Sequence, residues 1–164
     1  MIELIIVVET RASNRSDWMY IKSALDYYYG SRTYGISPIF AKCKPELISQ
    51  DKKIDKAIKD SKRTPYVVIC ADYDREEELN NKIIKYCNVN DYNLVWMNLD
   101  VEDVFWGVQV PDETKRRKAV EFQTKKDKLL PNVKGLESNS PLKKRHQSNL
   151  LLVCDRFLKR KHQN

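Results

Sequence analysis

At 164 residues, 41% of them hydrophobic, the chain has the length of one domain and enough apolar content for a core. No apolar run reaches the roughly 18 residues of a membrane span, so the expectation is a soluble protein without membrane association. The net charge is +7, and its distribution is uneven. Residues 1–110 carry 15 Lys and Arg against 17 Asp and Glu, a balance of −2; residues 111–164 carry 15 against 6, a balance of +9. The division this suggests is an α/β core over 1–110 and a basic helical extension over 111–164, packed on the core as one compact unit. The basic excess points to a polyanionic partner, although a solvated helix face gives the same pattern.

Residues 2–8 are apolar apart from Glu3, the pattern of a strand buried on both faces. The run lacks the basic leading segment and small-residue cleavage site of a signal peptide, and Glu9 ends it. Ser16-Asp17 then offers an N-cap for a helix with Trp18, Ile21, Leu25 and Tyr28 on one face, and Gly30 offers a stop. A second strand is predicted over 36–41, and a Lys-rich helix over 49–59 with Ile54 and Ile58 facing inward. Pro65 opens a third strand over 66–70. After residues 72–76 comes a helix whose Leu79, Ile83, Ile84 and Cys87 form one stripe, and then a fourth strand over 92–99. This alternation predicts an α/β fold with a four-stranded, mainly parallel sheet flanked by helices. Residues 113–130 read as a charged helix, with Val120, Phe122 and Leu129 as its apolar contacts. Residues 131–141 read as a loop. Residues 142–161 read as a second helix, with Leu150, Val153, Cys154, Phe157 and Leu158 as its packing stripe. The C-terminal extension is thus predicted as two basic helices.

Four scattered cysteines (Cys43, Cys70, Cys87, Cys154) and two histidines, His146 and His162, offer no C-x-x-C or H-x-x-x-H spacing. A structural zinc site is not expected, and reduced thiols in a cytoplasmic protein are. The carboxylates are more informative. In an open parallel sheet, ligands bind at the carboxyl ends of strands where strand order reverses. Glu9 follows the first strand, and Asp72 and Asp74 follow the third. If the second strand pairs on the far side of the first, these three carboxylates meet at one crevice. Were the backbone to stay extended, Asp72, Asp74 and Glu76 would project to the same side. Clustered carboxylates repel, and a hard cation such as Mg²⁺ or Mn²⁺ resolves this while polarising a phosphodiester, with Glu9 as a second-metal ligand or the general base. A helix start accounts for part of the run equally well, with Asp74 as N-cap and Glu76, Glu77 and Glu78 in the first turn. It does not account for Glu9 and Asp72 both ending apolar strands.

Val7-Val8-Glu9 followed by Asp72-Tyr73-Asp74-Arg75-Glu76 resembles the TOPRIM signature, found in topoisomerases, bacterial primases, recombination proteins and several nucleases. The resemblance covers roughly residues 1–107. It implies a TOPRIM (Rossmann-like) fold in which Glu9 is general acid or base, Asp72 and Asp74 hold Mg²⁺, and Glu76 is an auxiliary ligand. Two features depart from the pattern: Thr10 stands where many members have Gly, and Arg11-Ala12-Ser13-Asn14-Arg15 is longer and more basic than a minimal turn. The segment Asp100-Val101-Glu102-Asp103-Val104-Phe105-Trp106 is similar to the acid-plus-aromatic segment after the last core strand of OLD-type and RloB-type nucleases, which are associated with phage defence. Glu102 is its candidate metal ligand; a helix capped by Asp100, with Val104, Phe105 and Trp106 packed inward, is the structural alternative.

There is no room in 164 residues for a topoisomerase gate, a primase zinc module or an ATPase. The resemblance therefore implies a metal-dependent nuclease or nuclease subunit, of a defence or mobile-element system. Its catalytic residues would be Glu9, Asp72 and Asp74. DNA or RNA phosphates would be met by Arg11, Arg15 and Arg75 and by Lys115, Arg116, Arg117, Lys125, Lys126, Lys143, Lys144 and Arg145, giving sequence-blind, salt-dependent affinity. A second class of reading is a regulatory TOPRIM-like module that binds nucleic acid, a partner ATPase or an effector protein without turnover. A third is a nucleotide-handling transferase whose D-x-D holds a metal–diphosphate, although no Gly-rich phosphate loop is present.

Overall fold

β1 (Ile2–Glu9) lies between two neighbours and is sealed on both faces. Leu4, Ile6 and Val8 enter one core and Ile5 and Val7 the other, so residues 4–8 read as continuous apolar sequence rather than alternation. The computed structural model describes residues 1–11 and 13–161; Ala12 and residues 162–164, including His162, lie outside the described residues. β2 (Gly35–Ala41), β3 (Thr64–Tyr73) and β4 (Asn93–Asn98) complete an all-parallel sheet of order β2-β1-β3-β4. Pro38 sits in β2, where an edge strand tolerates a residue without an N–H.

α1 (Ser16–Tyr29) covers one face, burying Tyr20, Ile21, Leu25, Tyr28 and Tyr29. The other face is covered by α2 (Asp51–Asp60), α3 (Glu77–Asn90) and a 3-10 turn, Lys44–Ile48. On that side Ile54 and Ile83 are fully buried. Gly30 stops α1 at φ 74, a conformation that costs glycine little. The N-terminus of α1 differs from expectation. Arg15, at φ 55, holds the N-cap position with no side-chain cap, and Ser16 Oγ donates to Asp17 Oδ1 at 3.2 Å. Asp17 is turned toward other carboxylates instead of back onto the helix amides.

The basic extension is more broken than its charge pattern predicts. After a 3-10 turn, Asp112–Thr114, come α5 (Lys115–Thr124) and α6 (Lys126–Leu129). Ala119 and Phe122 face inward while Val120 is 43% exposed, because i and i+3 share a helix face and i and i+1 do not. Phe122 packs against the rings of Tyr20, Phe105 and Trp106. The second predicted helix shrinks to a turn, Pro141–Lys143, and α7 (Leu150–Cys154). Leu150, Val153, Cys154 and Leu158 are buried as expected, with Phe157 half-buried against them. The residues before α7 latch the open edge of β4. Ser148 bridges Met97 in antiparallel fashion, and Asn98 N donates to Gln147 O at 3.0 Å. Asn149 Oδ1 accepts from Trp96 N at 2.8 Å, and its Nδ2 donates to Leu94 O at 3.0 Å. An unpaired sheet edge is thereby covered. No helix among the described residues is long and apolar enough to cross a membrane.

Candidate metal centre

From β1 the chain first adds β2 on one side, then returns to place β3 on the other. The carboxyl ends of β1 and β3 therefore flank the point where strand order reverses, the usual ligand crevice of an open parallel sheet. Glu9 is the last residue of β1, and Thr10 N, just beyond it, donates to Ala41 O at 2.8 Å. Asp72, next to last in β3, lies opposite Met97 of β4.

Asp72 follows Val68 and Cys70 on the strand face that looks toward α1, and its charged neighbours are Asp17, Glu9, Asp100 and Glu102. Burial above all, then the repulsion of these four, pushes its carboxyl well above the ordinary 3.8. Asp17 is pushed up to about 8 by burial and by Glu102, against the opposing hydrogen bond from Ser16. Glu9 is raised by burial; the Lys44 charge and backbone N–H oppose this, and Asp74 and Glu76 add to it. Glu102 is raised by burial, with Lys115 acting in the opposite direction.

Glu102 and Asp100 reach the crevice through α4 (Val101–Trp106). Asp100 caps this helix, its Oδ1 accepting from Asp103 N at 2.8 Å, while Val104 and Phe105 are buried and Trp106 is half-buried. The capped-helix reading and the ligand reading of this segment are thus compatible. Glu102 is only 1% exposed; its Oε2 lies 3.8 Å from Lys115 Nζ, and its Oε1 has no hydrogen-bond partner. An unsatisfied buried acceptor costs about 1–3 kcal/mol. Hard cations are bound by carboxylate oxygens, and Glu102, Asp72, Asp17 and Glu9 are the carboxylates whose charges act on one another here. Among the described residues, no three His, Cys, Asp or Glu side chains stand as a ready-made metal-holding group.

Asp74 takes a different direction from Asp72, which corrects the expectation of a shared face. β3 ends at Tyr73, so strand alternation ends with it. Lys44, 4% exposed, donates to Asp74 Oδ1 and to Asn80 Oδ1, both at 2.6 Å. Asp74 Oδ1 also accepts from Glu76 N at 3.0 Å. Burial alone would raise the Asp74 carboxyl, but the Lys44 and Glu76 hydrogen bonds hold it below 3.8. Asp74 therefore anchors a buried lysine next to Glu9. Glu76, not Asp74, stands at the N-cap position of α3; it is exposed and makes no side-chain cap.

The anticipated phosphate contacts are spread out. Lys115 reaches the crevice carboxylate Glu102 and also pairs with exposed Asp112 (3.3 Å). Arg116 Nη1 donates to the Asn14 carbonyl, tying α5 to the loop after β1. The Arg15 guanidinium lies 5.0 Å over the Phe40 ring. Lys118 and Lys125 both pair with Glu121, and Lys118 also lies over Trp106. Arg145 pairs with buried Asp103 at 2.8 Å. Arg11, Arg75, Arg117, Lys143 and Lys144 are exposed and Lys126 is half-buried. Sequence reasoning passed over Asp17, taken as a helix cap, and Lys44, which nothing in its local pattern sets apart from other lysines. No family model, curated protein or solved structure matches the chain, so its chemistry rests on the crevice itself.

Proposed function

We propose that the chain is a divalent-metal-dependent nuclease, or the nuclease subunit of an assembly, acting on DNA or RNA phosphodiesters. Asp72, Asp17 and Glu102 would hold Mg²⁺ or Mn²⁺, and Glu9 would serve as general acid or base. The observation that carries this reading is the unpartnered, buried Glu102 Oε1 among carboxyls of raised proton affinity at a strand-order reversal. The resemblance of Glu9 and Asp72 to the TOPRIM pattern supports it independently.

A divalent cation at this site supplies charge neutralisation and polarises a phosphate oxygen. The protein's own groups divide the remaining work. Glu9, with its carboxyl raised by burial, is suited to exchange a proton with water or a leaving oxygen. The backbone N–H of Lys44 orients that carboxyl, while the Lys44 side chain, held by Asp74 and Asn80, keeps a fixed positive charge beside it. Lys115 carries the basic extension to the crevice rim, where it can meet a substrate phosphate.

The test is cleavage of labelled single- and double-stranded DNA and RNA with Mg²⁺ or Mn²⁺ and with EDTA. Metal-dependent products are expected from the wild type, with Asp72→Asn inactive and Glu9→Gln slower by about a hundredfold or more. Identical product traces from wild type and Asp72→Asn would contradict the reading.

A further inference from the structure

Beside the carboxylate crevice, α4 borders a second concavity of about 300 Å³, lined by its C-terminal half and by segments 132–135 and 144–147. Its chemistry is the reverse of the crevice. Lys134, Lys144 and Arg145 bring three fixed positive charges to its wall, and His146 stands next to them. One buried carboxylate organises two of these side chains. Asp103, 1% exposed, accepts from Arg145 Nη2 at 2.8 Å through Oδ1, and its Oδ2 lies 2.8 Å from His146 Nδ1. That same ring nitrogen is 3.1 Å from the Asp103 carbonyl.

With Nδ1 engaged, Nε2 on the far side of the imidazole is the polar atom left to meet a ligand. Arg145 gives one Nη to Asp103 and retains its other guanidinium donors. The loop that presents both is held firmly. His146 is at φ 62, and a Cβ on Gly135 would come within 1.8 Å of the His146 carbonyl oxygen, so only glycine permits this approach. Ser148 N donates to Gly135 O at 2.6 Å, closing the loop. Asp103 offsets one of the three fixed charges, so the pocket keeps a net positive wall whether or not His146 carries a proton.

We propose that this pocket is a phosphate subsite for a nucleic-acid strand, with Arg145 and His146 Nε2 as direct donors and Lys134 and Lys144 supplying charge. His146 would then present Nε2 to the phosphate while its Nδ1 stays on the Asp103 carbonyl. The assignment of the ligand to nucleic acid rests on the nuclease reading. Glu102 and Asp103 are consecutive on α4, with Cα atoms about 3.8 Å apart, so one short helix addresses both the crevice and the pocket. A strand with one phosphate at the crevice would pass a neighbouring phosphate across the pocket.

The test uses the full chain, ¹⁵N-labelled and in EDTA, so that binding is observed without turnover. Ring-nitrogen NMR signals of the two histidines are followed while inorganic phosphate or a short single-stranded oligonucleotide, DNA or RNA, is added; loss of a signal in His146→Gln identifies His146. The expected result is movement of the His146 Nε2 signal by the oligonucleotide, with Arg145→Gln binding it about tenfold more weakly. Lys52→Ala, an equal loss of charge on exposed α2, should bind as the wild type does. Oligonucleotide binding with an unmoved His146 signal, and Arg145→Gln equal to Lys52→Ala, would overturn the proposal. A His146 response to inorganic phosphate alone would also overturn it, reducing the pocket to a small-anion site. Because the wild-type signal is itself a readout, a variant that fails to fold does not blunt the test. Metal-dependent cleavage with an unmoved His146 would refute this subsite and leave the nuclease reading standing. A responding His146 without any cleavage would do the opposite.

Discussion

A carboxyl with raised proton affinity is neutral over a range where a surface carboxyl is charged, and this applies to Glu9, Asp17, Asp72 and Glu102. For Asp17 the folded value, about 8, lies above the ordinary 3.8, so the folded chain binds the proton more tightly than the unfolded chain. The resulting stability is fully present below the ordinary value and is lost as pH rises through about 8. In the metal-free protein, the thermal midpoint should therefore fall between weakly acidic and weakly alkaline pH. Asp17→Asn should flatten that fall and raise the alkaline midpoint by a few degrees, at about 2–4 °C per kcal/mol for a chain of this size. Mg²⁺ should stabilise the wild type more at alkaline than at acid pH, since protons compete for the same oxygens. Scanning calorimetry across pH checks both, and a variant as steep as the wild type would count against the buried cluster. Leu99 supplies a second residue-scale prediction. It holds φ 49 between β4 and Asp100, in the left-handed region that costs a non-glycine residue roughly 1–2 kcal/mol. Leu99→Val should be destabilising by about that much in urea titration, because a branched Cβ worsens the strain, while Leu99→Gly should be near neutral. Among the carboxylates at the strand-order reversal, Glu9 and Asp72 were legible because acids ending apolar strands are conspicuous. Asp17 was not, because an acid in a first helical turn has an ordinary local explanation.

At the scale of elements, the inner strands β1 and β3 were readable because each carries a buried apolar run, and the sheet's covering helices were readable because their stripes repeat at helical spacing. The tail was not, since its conformation answers to a partner distant in sequence. Residues 147–149 have no local reason to lie along the sheet; they do so because the β4 edge offers unpaired backbone groups. Asn149 alone serves Trp96 N and Leu94 O. Asn149→Ala should remove both hydrogen bonds and cost about 2 kcal/mol or more, measured by chemical denaturation. Faster hydrogen exchange at the Trp96 amide should accompany it, and unchanged exchange there would contradict the latch. A similar limit governs the D-x-D run. Sequence spacing set Asp72 and Asp74 on one side only if the strand continued, and the strand's end at Tyr73 sends Asp74 to Lys44.

For the molecule as a whole, the charge division seen in composition becomes a division of labour. The nearly neutral part bears the acidic crevice, and the basic part closes the β4 edge, reaches the crevice at Lys115 and frames the Asp103 pocket. Phe122, Leu130, Leu136 and Leu150 share one core with β1 and β3, so the extension is built into the domain rather than appended to it. Charge asymmetry says nothing of this integration, because net charge carries information about association and not about packing. The claim on which all of this depends is that the crevice takes a divalent cation. Crystals soaked in Mn²⁺ and measured for anomalous scattering address it directly. The account predicts a peak within coordination distance of Asp72 and at least one of Asp17, Glu102 and Glu9, absent in Asp72→Asn. A well-diffracting Mn²⁺-soaked crystal with no peak in the crevice, or with one that persists unchanged in Asp72→Asn, would contradict it.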